Sequence, residues 1–263
     1  MKIGCPIQTT SFVVWVGQHT AILATPFQNS SLSHGPTSQT IPRLTVYDFP
    51  MAFSFPKTYP ILDSSVIPSA NRAEFLQRLG SSLAEAGVTL MEYRNKTGSD
   101  AEILADAAIL RAAMPAQTIK LILDDRADLV EQTNFDGVHV DAGDLSPAEA
   151  RRLLGPNRIV GTFGGSTDII PGILEAPADY WAVGPVFTTI TKKTSTPPIG
   201  IEGVRHMRQL LGPDRVITCA AGVTLANAQS ILAAGATTVA VAGAIFRTSD
   251  PAAEFRKFKA LLG

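Results

Sequence analysis

The sequence is poor in the features that would assign it to several large classes of protein. It has only two cysteines, Cys5 and Cys219, in 263 residues. Two thiols cannot build the disulfide framework of a small secreted domain, nor by themselves a thiolate metal site. Cys219 lies in the apolar run VITCAA, which reads as a buried strand. Reduced thiols and a cytoplasmic location are therefore expected. Basic excess is also missing, because 22 Lys and Arg face 23 Asp and Glu for a formal charge of −1. A broad nucleic-acid face wants a basic surplus, so nucleic acid is not expected as a partner. Long apolar runs are absent too. Residues 11–25 come nearest, are broken by Gln18 and His19, and are too short to span a bilayer. Lys2 alone makes a poor basic leader, so neither a signal peptide nor a membrane is expected. Small molecules remain as the expected partners, and self-association is compatible with this composition.

What is present is material for one large core, with 45% of residues hydrophobic and 17% charged. The chain divides unevenly. Residues 26–42 are rich in Ser, Thr, Gln and Pro, a linker-like composition. The expectation is that 1–50 form a poorly ordered extension, or follow from an upstream start, with Met51 as the functional start and 51–263 as one catalytic domain. The competing expectation is a short strand or helix closing the bottom of that domain.

From Thr58 onward, short apolar runs alternate with amphipathic segments. The strand candidates are TYPILD (58–63), VTLMEYR (88–94), TIKLILDD (118–125), DGVHVD (136–141), RIVGTF (158–163), DYWAVGPVF (179–187), RVITCAA (215–221) and TTVAVAGA (237–244). Most lack clean alternation, as strands covered on both faces do. Ser99-Asp-Ala-Glu102 and Ser146-Pro-Ala-Glu149 read as capping boxes, and Asp250-Pro251 opens a last helix. Gly87, Gly155, Gly212 and Gly235 follow helix ends. The helices around 127–132 and 166–175 are the weakest. This alternation predicts an α/β fold, a single (β/α)8 TIM barrel. A doubly wound open sheet is the alternative, but the first βα turn lacks the G-x-G-x-x-G fingerprint.

In such barrels the chemistry gathers where strands end and βα loops begin. Glu92, Arg94 and Lys96 end the second strand, and the pair Arg94/Lys96 can address one anion. Asp124 and Asp125 end the third strand, and Asp144 follows the fourth. Asp125 and Asp144 are thus placed to hold a hard cation such as Mg2+, which takes one or two carboxylates plus water and phosphate. The sixth strand runs into the hydroxyl- and cation-rich loop Thr188–Lys193, with Thr189, Thr191 and Lys192. Gly222 and Ala242-Gly243 put small residues on the last two loops, the usual phosphate site of this barrel. Singly, each motif has a plainer explanation as a solvated loop, a helix cap or a tight turn. His139, inside the fourth strand, could face the lumen but reads as a core histidine rather than a base, and His206 reads as surface. No nucleophile–base pair stands out, which favours chemistry by positioning and electrostatics.

Taken in order, EYRNK (92–96), DDR (124–126), GVHVDAGD (137–144), GPVFTTITKK (184–193), AAGV (220–223) and VAGAIF (241–246) resemble the motif series of the thiamine-phosphate synthase family over about Tyr59 to Leu262. The resemblance implies that a hydroxymethylpyrimidine diphosphate and a hydroxyethylthiazole phosphate are joined with release of pyrophosphate. It implies Arg94, Lys96 and Lys192 at the diphosphate and Asp125 and Asp144 at Mg2+. Thr189, Thr191, Gly222, Ala242 and Gly243 would sit at the thiazole phosphate. Glu92 and Asp124 stand where the family has glutamine and asparagine, at the pyrimidine, and Phe163 stands where it has serine. Two rival readings are a thiazole tautomerase-like isomerase, whose histidine is missing from 158–175, and a non-catalytic thiazole-phosphate-binding barrel.

Overall fold

In this computed structural model the described residues are Phe12–Trp15, Ala21–Ala24, and 53–263 apart from 142 and 190–195. The chain separates into two units, Met1–Phe53 and Ser54–Gly263. In the first, β1 (Phe12–Trp15) pairs antiparallel with β2 (Ala21–Ala24). The other expectations for residues 1–50, including the start at Met51, lie outside the described residues.

The second unit is a closed parallel barrel in the order β10-β3-β4-β5-β6-β7-β8-β9. Its strands are β3 (Thr58–Asp63), β4 (Leu90–Arg94), β5 (Lys120–Asp124), β6 (Gly137–Val140), β7 (Ile159–Gly165), β8 (Tyr180–Val183), β9 (Ile217–Cys219) and β10 (Thr238–Val241). Every one of the eight expected runs contains a strand, and closure excludes the open sheet. The helices are α1 (Arg72–Glu85), α2 (Asp100–Ala113), α3 (Val130–Thr133), α4 (Pro147–Leu154), α5 (Gly200–Leu211), α6 (Ala228–Ala233), α7 (Gly243–Phe246) and α8 (Pro251–Leu262). No helix among the described residues is long and apolar enough to cross a membrane.

The core lies between strands and helices. Leu76, Leu79, Leu83 and Ala86 of the α1 region are all buried against the outer faces of the strands. Ser146 forms a complete capping box with Glu149, and the Asp250 carboxylate caps α8 at the Ala253 N–H. Ser99 forms only half of one. Its hydroxyl accepts from Glu102 N–H at 3.2 Å, while the Glu102 carboxylate turns away to Arg72 and Asn95.

Of the two weak helices, one forms in part and the other, expected at 166–175, does not form. Residues 127–133 make a short 3-10 turn and the single turn α3. The β7–β8 connection has turns and no helix, as the breakers Pro171-Gly172 and Pro177 require. The glycines after α1, α4 and α5, together with Gly235 after α6, all have positive φ. Cys219 is buried in β9, and burial pushes its thiol up to about 12.

Candidate active site

Parallel pairing aligns the strand ends, so their polar residues meet at one rim. Asp63 ends β3, Arg94 ends β4 and Asp124 ends β5, with Asp63 in register with Arg94. Beside them opens a cavity of about 310 Å³, lined by Arg94 and Asp124, by Glu92, His139, Asp141, Phe163, Ser166 and Tyr180, and by loop residues 184, 185, 189, 196, 220 and 221.

The rim is a ladder of alternating charges. Arg94 Nη1 donates to Asp63, and its Nε lies 3.5 Å from Asp124 Oδ2. Lys96 Nζ bridges Asp124 Oδ2 at 2.9 Å and Asp125 Oδ2. Burial would lower the Lys96 pKa, but Asp124 and then Asp125 raise it above its ordinary value. Asp124 is raised by burial and by Asp125, against the opposing pull of Lys96.

Asp125 sits at φ 63, a left-handed conformation that costs a non-glycine residue free energy and that its N–H bond to His139 O (2.8 Å) helps hold. Its Oδ1 is buried with no hydrogen-bond partner. The exposed Asp144 carboxyl, which accepts the Asp141 N–H at 2.9 Å, lies near enough to Asp125 to interact with it. Partial burial, then the approach of Asp125, raises the Asp144 pKa. Two carboxylates converging on an unsatisfied oxygen are a donor set that suits a hard divalent cation. No group of three or more His, Cys, Asp or Glu with metal-holding geometry occurs among the described residues. The fit is therefore to a cation that keeps most of its shell for water and phosphate.

The floor is built differently. Tyr59 Oη donates to Glu92 Oε2 at 2.8 Å and lies 2.9 Å from Tyr180 Oη, so Tyr180 supplies the proton of the second bond. His139 stacks on Tyr180, with ring centroids 5.5 Å apart at 19°. Its Nε2 is 3.6 Å from Asp141 Oδ1, while its buried Nδ1 has no hydrogen-bond partner. Burial raises Glu92 to about 7, against the favourable charge of His139 and with the repulsion of Asp124. Burial would lower His139, yet Asp141 and then Glu92 hold it above its ordinary value. Burial and the Glu92 charge keep both tyrosines protonated and able to donate.

Of the residues named from sequence, Glu92, Arg94, Asp124 and Thr189 line the cavity. Lys96, Asp125 and Asp144 join them through the charge ladder. Gly222 sits beside the cavity-lining Ala221 at φ 68, where a Cβ would strike Phe187 and the Thr188 carbonyl. Ala242 and Gly243 begin α7 and do not line the cavity. Thr191 and Lys192 lie outside the described residues. Phe163 does face the cavity, but a register shift between Phe163 and Gly165 brings Ser166 there too, its hydroxyl donating to Gly184 O at 2.6 Å. A hydroxyl is thus offered on this loop after all.

Sequence reasoning missed Asp63, Tyr59 and Tyr180; His139, read as a core histidine that could face the barrel lumen, is buried and lines the cavity. Nothing local in TYPILD set Tyr59 apart or tied it to a tyrosine 121 positions away.

Comparison with known proteins gives one answer. The family model for thiamine monophosphate synthase matches residues 58–245. A thiamine-phosphate synthase of Koribacter versatilis is 38% identical over 186 residues, covering 71% of this chain and 87% of that protein. One from Agrobacterium fabrum is 35% identical over 190 residues, covering 71% and 86%. Among solved structures, a thiamine phosphate pyrophosphorylase from Pyrococcus furiosus superposes with a TM-score of 0.64 at 23% identity, covering 78% of this chain and 95% of that one, a likeness of fold. With the motif order, the closed barrel and the rim in agreement, the chain belongs to the thiamine monophosphate synthase family.

Proposed function

We propose that the barrel joins a hydroxymethylpyrimidine diphosphate to a hydroxyethylthiazole phosphate, giving thiamine phosphate and pyrophosphate. The observation that carries this reading is the ladder Asp63–Arg94–Asp124–Lys96–Asp125 beside the Asp125/Asp144 pair, at the mouth of a cavity with an aromatic floor. Among the described residues the partners of Arg94 and Lys96 are carboxylates, which an arriving diphosphate can replace. Arg94 offers a planar fork and Lys96 a mobile point charge. Lys192 acts with them, and Thr189, Thr191, Gly222, Ala242 and Gly243 hold the thiazole phosphate.

Asp125 and Asp144 would hold Mg2+. Bound there, the ion supplies charge neutralisation at the diphosphate oxygens and a template for their departure. The carbon–oxygen bond of the pyrimidine methylene breaks with its electron pair leaving on pyrophosphate, which Arg94 and Lys96 receive. The thiazole nitrogen lone pair then forms the new carbon–nitrogen bond, so no protein nucleophile or base is required. Glu92 and Asp124 face the pyrimidine and accept from its amino group, while Tyr180 and His139 give the ring a flat surface.

The test is direct. The full chain with both substrates and Mg2+ should form thiamine phosphate and pyrophosphate, followed by chromatography and phosphorus NMR. Binding of thiazole phosphate without turnover at any substrate level would refute the reading.

A further inference from the structure

The cations of the rim are carried by a loop that is itself bolted to the helix layer, and the bolt lies on the face of the strand opposite the cavity. Along β4 and its continuation, Glu92 and Arg94 face the cavity, and Lys96 joins the rim ladder. The residues between them, Tyr93 and Asn95, point the other way and are buried. Strand geometry requires this alternation.

Asn95 uses its whole hydrogen-bonding capacity there. Its Nδ2 donates to Tyr93 Oη at 3.0 Å and to Glu102 Oε1 at 2.8 Å. Its Oδ1 accepts from the N–H groups of Gly98 at 2.8 Å and Thr97 at 3.3 Å, folding the loop back on itself. A Cβ at Gly98 would run into the Asn95 amide, so the turn closes only around that side chain. Tyr93 Oη donates in turn to Asp106, a carboxylate with 2% exposure inside α2. Arg72 of α1 grips Asp106 with Nε at 2.9 Å and Nη2 at 2.6 Å, and reaches Glu102 at 3.1 Å. One saturated network thus runs from α1 through α2 to the residue between the two cations.

We propose that Asn95, backed by Tyr93 and Asp106, is a positioning residue that sets the spacing and direction of Arg94 and Lys96 for a diphosphate. It touches no substrate. Tyr93, Asn95 and Asp106 are buried and hydrogen-bonded, with Arg72 and Glu102 closing the network towards solvent, whereas the cations it presents have exchangeable partners, so rigidity is placed behind the clamp. Misplacement of a positioned charge by about 1 Å is enough for large losses. The inference rests on the proposed diphosphate chemistry.

The experiment compares the full chain with Asn95→Ala and with Tyr93→Phe, which keeps the ring and deletes one hydroxyl. Readouts are the KM of each substrate, kcat, calorimetric binding of inorganic pyrophosphate with Mg2+, and the melting temperature. The expected result for Asn95→Ala is a rise of about 10-fold or more in the KM of the diphosphate and in the Kd of pyrophosphate, with the KM of the thiazole phosphate within about 2-fold. Tyr93→Phe should give a smaller shift, about 3-fold, in the same two constants. A purely structural role would instead lower the melting temperature and the active fraction while leaving both constants unchanged. That outcome in Tyr93→Phe, or in a folded Asn95→Ala, overturns the inference. If the unaltered chain binds pyrophosphate but never turns over, the proposed reaction fails while the pyrophosphate arm still decides the role of Asn95.

Discussion

The two ends of the barrel use cationic side chains in opposite ways. At the N-terminal end, Arg111 of α2, Arg151 of α4 and Arg208 of α5 each donate to several backbone carbonyls. Arg111 takes Met114 O at 3.0 Å and Ile119 O at 3.1 Å, and Arg208 takes Gly235 O at 2.7 Å and Arg215 O at 2.8 Å. Each also meets a residue just before a strand: Asp136, Asp179 or Thr237. That residue accepts the N–H of the neighbouring strand, at Leu121, Val160 and Ile217 respectively. The same clasp therefore closes three successive pairs of strands. At the C-terminal end, the partners of Arg94 and Lys96 among the described residues are carboxylates. A carbonyl fixed in a ladder has nowhere to go, but a carboxylate can surrender its cation to a better anion. Stability is built into one rim and exchangeability into the other.

The sharpest way to break this contrast is to disturb each rim and ask which property follows. Asp125→Asn removes a charge from a crowded acidic pair at a left-handed position that asparagine tolerates well. Activity should fall by about 100-fold or more, with a raised Mg2+ requirement, because one carboxylate of the cation site is lost. The melting temperature should stay close to that of the parent, since asparagine keeps the shape and the left-handed backbone and relieves the charge repulsion between Asp125 and Asp144. A large drop in melting temperature, or near-parental rates, would show that Asp125 serves the fold.

The opposite substitution is Arg208→Ala. It strips a part-buried guanidinium from carbonyls that end α5 and flank β9, and hydrogen bonds to charged groups contribute about 1.5–3 kcal/mol. Stability should fall by about 3 kcal/mol in urea titration, while kcat per folded molecule stays within about 2-fold. Loss of kcat in a folded Arg208→Ala would join the two rims into one functional unit.

The same division explains what could be read from the sequence. The clasp arginines and the rim cations look alike as letters, and only the barrel rule for strand ends separated Arg94 and Lys96 from Arg111. That rule, with capping residues and apolar runs, was enough for the eight strands and for the acids at 124, 125 and 144. It failed where information is held between distant segments. The Glu92–Tyr59–Tyr180 chain unites three strands, and each member reads locally as ordinary strand material. Ser166 was hidden by a one-residue irregularity in β7, which no propensity marks. His139 was read as core because a strand buried on both faces carries no alternation to show which face holds the cavity.

Between the rims lies the floor, where Glu92 gives the finest test because it belongs to the site yet is buried like the core. Its folded pKa of about 7 is above that of an exposed carboxyl, so the native state holds a proton that the unfolded chain releases. Stability from this group is full below the unfolded value and declines as pH rises towards 7. The steepest slope it can impose is one proton, about 1.4 kcal/mol per pH unit. His139, also raised, adds stability in the same direction that is lost as pH climbs through its folded value. Glu92→Gln keeps the shape and the acceptor for Tyr59 but removes the titration. Melting curves of the variant between pH 5 and pH 8, a range chosen to bracket the titration, should be flatter than those of the parent, with a smaller histidine contribution left, since Asp141 still raises His139 and Glu92 no longer does. Turnover should stay within about 3-fold, because an amide still offers the pyrimidine a carbonyl oxygen. An unchanged pH slope would mean that Glu92 stays ionised in its tyrosine cage, and the floor would then be a fixed negative charge facing the ring.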